Sequence, residues 1–383
     1  MVAGSLALTG TVVPAFLTGA LSSRIGDDLG FGSGAAGVAV AALFVGAGVF
    51  AVPMGRVTER IGPTRAIRAG TVISAACALA IAGVVSAWWQ LAAVLFVAGS
   101  AVGLVDTGAA RAFGDAVPST RHGIAFGAKE ASVPAASLVA GLSIPVLADQ
   151  LGWRAAFVAG ALLAPVVLVL VPGLSADPPG AADPGDGPER RGPLLLFAAG
   201  VALGCGAATA ASTLLVPALE DRGWREADAG LLLALASAAS IAVRLAAGGR
   251  GDQRPRSTWA MIAVLLAAGA AGAVLLASAS TGAAAVIGAV TVIGAGWGWT
   301  GIAYQTAVRV GRDRPAAAAG VVLMGLSVGG AAGPAAFGAI ASAASYSAAW
   351  ATSAAALVGG AVAVLASRRW LEPSARADPN PAR

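Results

Sequence analysis

The sequence predicts an all-α membrane protein with twelve transmembrane helices in two six-helix halves. Three observations carry that prediction. Of 383 residues, 57% are hydrophobic and only 11% are charged, with a mean hydropathy of +0.81. Soluble domains carry about 25% charged residues, and a soluble fold of this length has no way to hide so much apolar surface. Twelve stretches are each long enough to cross a bilayer core, which takes roughly 20 mostly apolar residues. Finally, one charged, glycine-bearing segment occurs twice, 193 residues apart.

The twelve predicted spans are 2–22, 35–54, 66–87, 91–114, 123–148, 153–173, 194–218, 228–249, 258–278, 282–308, 317–341 and 347–367. The first is read as a membrane helix. No positive region precedes it, and it is longer than the 7–15-residue apolar core of a secretion signal. The 53 glycines, together with abundant alanine, suit helices that pack closely in lipid, where small residues let backbones approach. One connection has linker composition, from Ser175 to Gly192, rich in Pro, Gly and acidic residues. It divides the chain into an N-terminal bundle (1–173), a cytoplasmic linker (174–192), a C-terminal bundle (193–369) and a cytoplasmic tail (370–383). With even-numbered loops and both termini on the cytoplasmic side, nineteen arginines fall on that side and four on the other. The positive-inside bias therefore predicts a multi-pass protein of the cytoplasmic (inner) membrane with both termini inside. Tryptophans at 88, 89, 153, 224, 259, 350 and 370 lie at span ends, as an aromatic belt requires.

Composition excludes several classes. The pI is about 10.2, but the basic residues sit in short loops and form no continuous basic element, so no nucleic-acid partner is expected. Cys77 and Cys205 lie inside apolar segments and form no disulfide framework. One histidine, His122, cannot build a His-based zinc site. There is no nucleotide-binding Gly-rich loop and no catalytic triad partner for a serine, so neither an enzyme nor a cofactor is expected.

The repeated segment reads Gly55-Arg-Val-Thr-Glu59-Arg60-Ile-Gly62-Pro-Thr-Arg65 after the second span and Gly248-Gly-Arg250-Gly-Asp252-Gln-Arg254-Pro-Arg256 after the eighth. Duplicated halves are how many transporters make one site reachable from either side. The first copy resembles the signature loop of the major facilitator superfamily, with Gly55, Glu59, Arg60, Gly62 and Arg65 fitting its pattern. The resemblance extends over both loops, the central linker and the twelve spans. It implies that these residues, with Gly248, Asp252 and Arg254 in the second copy, gate the cytoplasmic face. Gly55 is expected to let two helices nearly touch. Glu59 is expected to bind the positive end of a neighbouring helix. The alternative is that these charges only fix topology.

The stretch Arg121-His-Gly123-Ile-Ala-Phe-Gly127-Ala-Lys129-Glu130-Ala-Ser-Val-Pro134 resembles the fifth helix of a branch that includes cyanate- and nitrate-type anion transporters. Gly325 through Pro334 in the eleventh span looks like its counterpart. Arg244, four residues before Gly248, resembles the eighth-helix arginine of monocarboxylate and oxalate transporters, which implies contact with a substrate carboxylate. A guanidinium offers two parallel donors to a planar anion.

Charged groups inside spans are functional candidates, because each costs at least ~2.5 kcal/mol at the bilayer centre. Asp106, Lys129, Glu130 and Arg244 qualify, while Arg111 lies nearer a helix end. Arg244 sits about five residues, roughly 8 Å, from the cytoplasmic end. Both it and Lys129 therefore either flank one anion in the cavity or snorkel to the headgroups. Asp106 and Glu130 either carry a coupling proton or neutralise nearby cations. Glu130 points about 100° away from Lys129, so no face-to-face pair is expected between them. In the tenth span, Trp297, Trp299, Tyr304 and Gln305 either line the cavity or fill space beside glycines.

These readings predict a secondary transporter for a small anion, driven by a proton or solute gradient and acting as a monomer in the lipid bilayer. The alternative is a multidrug or metabolite efflux transporter of the same fold.

Overall fold

The computed structural model describes residues 2–116, 121–171, 191–310 and 315–371. Among the described residues, twelve helices are long and apolar enough to cross a membrane. In the first half they are α1 (Ala3–Ala20), α2 (Ser33–Ala51), α3 (Pro63–Gly83), α4 (Trp88–Ala109), α5 (Gly123–Leu151) and α6 (Trp153–Leu170). In the second half they are α7 (Gly192–Glu220), α8 (Glu226–Gln253), α9 (Pro255–Ser278), α10 (Gly282–Val310), α11 (Gly320–Ala343) and α12 (Tyr346–Leu371). No strand occurs among the described residues. The predicted linker lies almost wholly outside the described residues, except that Arg191 and Gly192 already belong to the helix Arg191–Glu220. The predicted tail lies outside them beyond Leu371.

Helix ends differ from the predicted spans where local chemistry overrides hydropathy. After α1 the chain forms a short amphipathic helix, Ser22–Leu29, closed by Gly30 in the left-handed conformation (φ 72°). Its polar face places Ser23, Arg24 and Asp28 beside the ends of α5 and α7 and the starts of α6 and α8. The second helix continues as far as Ile61, which carries Glu59 and Arg60 out of the apolar zone. Gly62 then turns the chain at φ 84°, ψ 159°, a region open essentially to glycine alone, and Pro63 opens the next helix.

Proline interrupts α5 and α6 by the same mechanism. Pro134 has no N–H for the carbonyl of Glu130 four residues earlier, and its ring crowds that carbonyl. The helix accordingly breaks into His122–Glu130 and Ser132–Ser143. Pro165 stands in the same relation to Ala161, where Trp153–Ala161 ends. α10 breaks at Trp299, between Gly282–Gly298 and Thr300–Val310, in a segment with glycines at 296, 298 and 301.

α1, α7 and α10 are the most enclosed helices, with 78%, 72% and 72% of their apolar windows buried, against 33% for α6 and α11. The first group therefore lines the centre. The main seams between halves run α5 against α8 and α2 against α11, with α1 on α7 and α5 on α10 between them. Glycine makes the α5–α8 seam possible. A Cβ on Gly248 would lie 2.5 Å from the Gly123 carbonyl oxygen, and one on Gly230 would lie 2.7 Å from that of Gly141. Both ends of the seam are thus backbone-to-backbone contacts.

Candidate functional site

At the middle of the α5–α8 seam lies a chain of alternating charges. Lys129 Nζ is 2.6 Å from an Asp106 carboxylate oxygen of α4 and 3.5 Å from Glu130 Oε1. The other oxygen of Glu130 lies 3.9 Å from Arg244 Nη1 on α8. Lys129 and Arg244 are only 3% and 1% exposed, so neither snorkels. Their stems turn inward because the break at Ala131 and the glycine contacts bring α4, α5 and α8 together around them.

The expected separation of Lys129 from Glu130 is corrected by this geometry. The backbone offset of adjacent helical residues holds, but both stems are long, and water is excluded. An isolated buried charge is costly, so the two heads converge. Glu130 consequently bridges one cation from its own helix and one from the other half.

Arg244 is under-satisfied. Its Nε, Nη1 and Nη2 are all buried with no hydrogen-bond partner among the described residues; the carboxylate at 3.9 Å is beyond hydrogen-bond range. Its flat face lies 5.1 Å from the Trp297 ring, whose Nε1–H donates to Ser212 Oγ of α7 at 2.8 Å. Lys129 Nζ stands 5.1 Å from the Tyr304 ring, which stacks on Phe126 of α5 with centroids 5.7 Å apart. The three unpartnered nitrogens of Arg244 and the Lys129 ammonium thus each lie against an aromatic ring, Trp297 and Tyr304 respectively. One turn before Arg244, on the same face of α8, Ser240 Oγ is also buried without a partner.

The remaining predicted site residues fall elsewhere. Trp299 is two positions from Trp297, which on a helix places it roughly 200° round the axis, on the opposite side. It packs between Gly204 of α7 and Leu266 of α9, and its Nε1–H donates to the Gly296 carbonyl. It fills space inside the second half and does not line the centre. Gln305 also leaves the cluster: its Nε2 donates to Asp252 at 2.8 Å. The side chains of Arg111 and His122 lie outside the described residues.

The two signature loops behave differently. In the second, Asp252 accepts from the backbone N–H of Gly123 at 2.8 Å and of Ile124 at 3.0 Å. It therefore caps the start of α5 from the opposite half, at the positive end of that helix dipole. Gly248 supplies the close approach. In the first loop, Gly55 makes no such approach, because a Cβ there would meet only Thr107 Cγ2 at 4.0 Å. The tight contact between α2 and α4 lies higher, where Gly99 faces the Leu43 carbonyl at 2.5 Å from a built Cβ. Glu59, Arg60 and Arg65 are exposed and make no ion pair among the described residues. Arg254 is exposed as well, while Gly62 serves as the turn.

On the opposite face, sequence reading missed a second clasp between the halves. Arg24 pairs with Glu226 at the start of α8 and with Asp149 of α5, and donates to the Ala148 carbonyl at 2.7 Å. Ser23 Oγ donates to Glu220 at the end of α7. The available signal was the acidic cluster Glu220, Asp221, Glu226 and Asp228, facing an arginine that topology counting alone had used.

A profile described as Major Facilitator Superfamily matches residues 2–310 and again 196–383, the second match beginning inside α7. The chain belongs to the major facilitator superfamily. It is a multi-pass membrane protein and a secondary transporter of that superfamily, whose members bind small-molecule substrates within the membrane. No curated protein is significantly similar to it in sequence. The match is to the whole superfamily, so the substrate class of this superfamily member has to be argued from its own site.

Proposed function

We propose that this transporter moves a small anion by alternating access, with Arg244 and Lys129 as its binding cations. The observation that supports the reading most is the Arg244 guanidinium, buried in the membrane with none of its nitrogens hydrogen-bonded. A buried donor without an acceptor costs about 1–3 kcal/mol, more when charged. A carboxylate or inorganic anion would restore that loss, with Trp297 and Tyr304 as walls.

Charge counting supports proton coupling. Asp106 and Glu130 balance Lys129 and Arg244, so the four groups are neutral together. An entering anion makes them negative by one, and one proton on Glu130 restores neutrality. That proton frees both cations from Glu130 for the substrate, while Asp106, at 2.6 Å, stays as the fixed partner of Lys129. Transport is then electroneutral, one anion with one proton. The positive-inside pattern assigns the face bearing both signature loops to the cytoplasm. The Asp252 latch would close that side, and the Arg24 clasp the other.

The test is a ligand-dependent thermal-shift screen of the purified protein with cyanate, nitrate and short carboxylates against lipophilic cations. A saturable shift with one of the anions is expected. Arg244→Ala should weaken that ligand's binding by roughly 10–100-fold, the equivalent of about 1.5–3 kcal/mol for a charge-assisted hydrogen bond. Arg244→Lys, which keeps the charge but loses the planar fork, should fall in between. Binding of lipophilic cations with wild-type affinity in both variants, and of no anion, would replace the reading with efflux.

A further inference from the structure

The outer surface of the second half carries a feature that transport does not use. A groove of about 410 Å³ runs between α8 and α9. Ala246, Ala247 and Ala260 form its floor, and Val243 and Val264 flank it. It faces away from the centre: Ala246 and Ala260 are exposed, and Val264 is 65% exposed. Its depth follows from sequence, because alanines on adjoining helices leave a trough between larger neighbours.

One end of the trough is bounded by Arg250 and Ser257, which border it through their apolar atoms. Arg254 ends that helix and Arg256 lies in the short 3-10 turn after it, and all three arginines are exposed. None makes an ion pair among the described residues. The one acid in the segment, Asp252, is turned inward onto Gly123, Ile124 and Gln305, so it does not neutralise them. Arg250 thus stands at the end of an apolar trough, and Arg254 and Arg256 follow it within six residues of chain, at the end of a membrane helix.

We infer that this groove binds an anionic phospholipid, with an acyl chain along the alanine floor and the phosphate against Arg250, Arg254 and Arg256. The shape requires an amphiphile. A free anion would leave the floor uncovered, and a zwitterionic lipid would leave the arginines without net compensation. Juxtamembrane arginines attract anionic headgroups strongly enough for three to act together. The bound phosphate also relieves repulsion among the arginines that flank the Asp252 latch. Lipid occupancy therefore favours the state in which α5 and α8 are closed on that face.

The experiment uses the purified full chain in neutral detergent, with phosphatidylglycerol or phosphatidylcholine added and bound lipid counted by native mass spectrometry. One retained phosphatidylglycerol per chain is expected, with an increase in thermal stability that phosphatidylcholine does not give. The triple variant Arg250→Ala, Arg254→Ala, Arg256→Ala should bind it on the order of tenfold or more weakly. Ala260→Phe, which fills the trough and keeps every arginine, should do the same, and the outward-facing Ala246→Phe serves as an independent second filling. Equal retention in the arginine variant, equal retention in both filled variants, or the same stabilisation by inorganic phosphate would each overturn the proposal.

Discussion

The two ends of the α5–α8 seam hold the halves together by different physics. On the face with the signature loops, a single carboxylate accepts from two backbone N–H groups while glycine backbones touch. On the other face, arginine and carboxylates pair in partial contact with solvent, the Arg24 side chain being 30% exposed. The first contact is directional and lies at a fixed helix end. The second is a set of flexible side chains open to ions. Two contacts on one pair of helices can therefore be set to different strengths and answer to different conditions, although the glycine contacts behind them are alike.

The comparison is broken most severely by steric means. Gly248→Val places side-chain atoms where the Gly123 carbonyl lies, an overpacking worth about 3 kcal/mol. Spin labels at positions 124 and 245 should move apart, while labels at 142 and 231 keep their distance. Gly230→Val should do the reverse. Parallel changes in both label pairs would mean the seam moves as one piece.

Asp252→Ala comes next. It removes two backbone hydrogen bonds and that from Gln305, at about 2 kcal/mol after water replaces them. The same label pair should shift in the same direction, and transport should fall about tenfold. Asp252→Asn, which keeps one acceptor, should recover part of the loss. Unchanged distances in Asp252→Ala would remove the latch from the gating scheme.

Arg24→Ala is milder, up to about 1 kcal/mol, because exposed pairs are screened and entropically costly. It should open the 142–231 pair slightly. In wild-type protein, 1 M salt should reproduce that effect and leave the 124–245 pair in place. If salt moves both ends equally, the proposed difference between them is wrong.

The smallest effect is a matter of pH on the Arg24 face. The hydrogen bond from Arg154 holds the Asp28 carboxyl below its ordinary pKa of 3.8, with slight burial opposing and Trp153 Nε1–H assisting. Because the folded pKa is lowered, the contact stabilises above the ordinary value and is lost as pH falls through the lowered one. Melting curves of wild type and Asp28→Asn should differ by a small, constant amount from neutrality down to about pH 4 and converge below it. A difference that instead grows on acidification would contradict the sign.

Several of these contacts were only partly legible beforehand. The repeat of Gly55 to Arg65 at Gly248 to Arg256 was plain, but not that Gly248, and not Gly55, would sit at a helix contact. Spacing is the same in both copies; what differs is the helix that lies opposite. Trp297 and Trp299 look equivalent as letters. Two positions apart on a helix, they point to opposite sides, one against Arg244 and the other against Gly204. Arg24 looked like a topology marker until the short helix after α1 brought it to Glu226 and Asp149.

Apolar length, loop charge and repetition are properties counted along the chain, and lipid thickness turns them directly into spans, halves and an expected orientation. That much the sequence determined by itself. Whether Glu130 reaches both Lys129 and Arg244, and whether Arg244 is left without an acceptor, depends on the rotation and tilt of α4, α5 and α8 against one another. Those angles follow from where glycines let backbones meet and where prolines break helices, summed over every neighbour at once. Only the packed structure decides them.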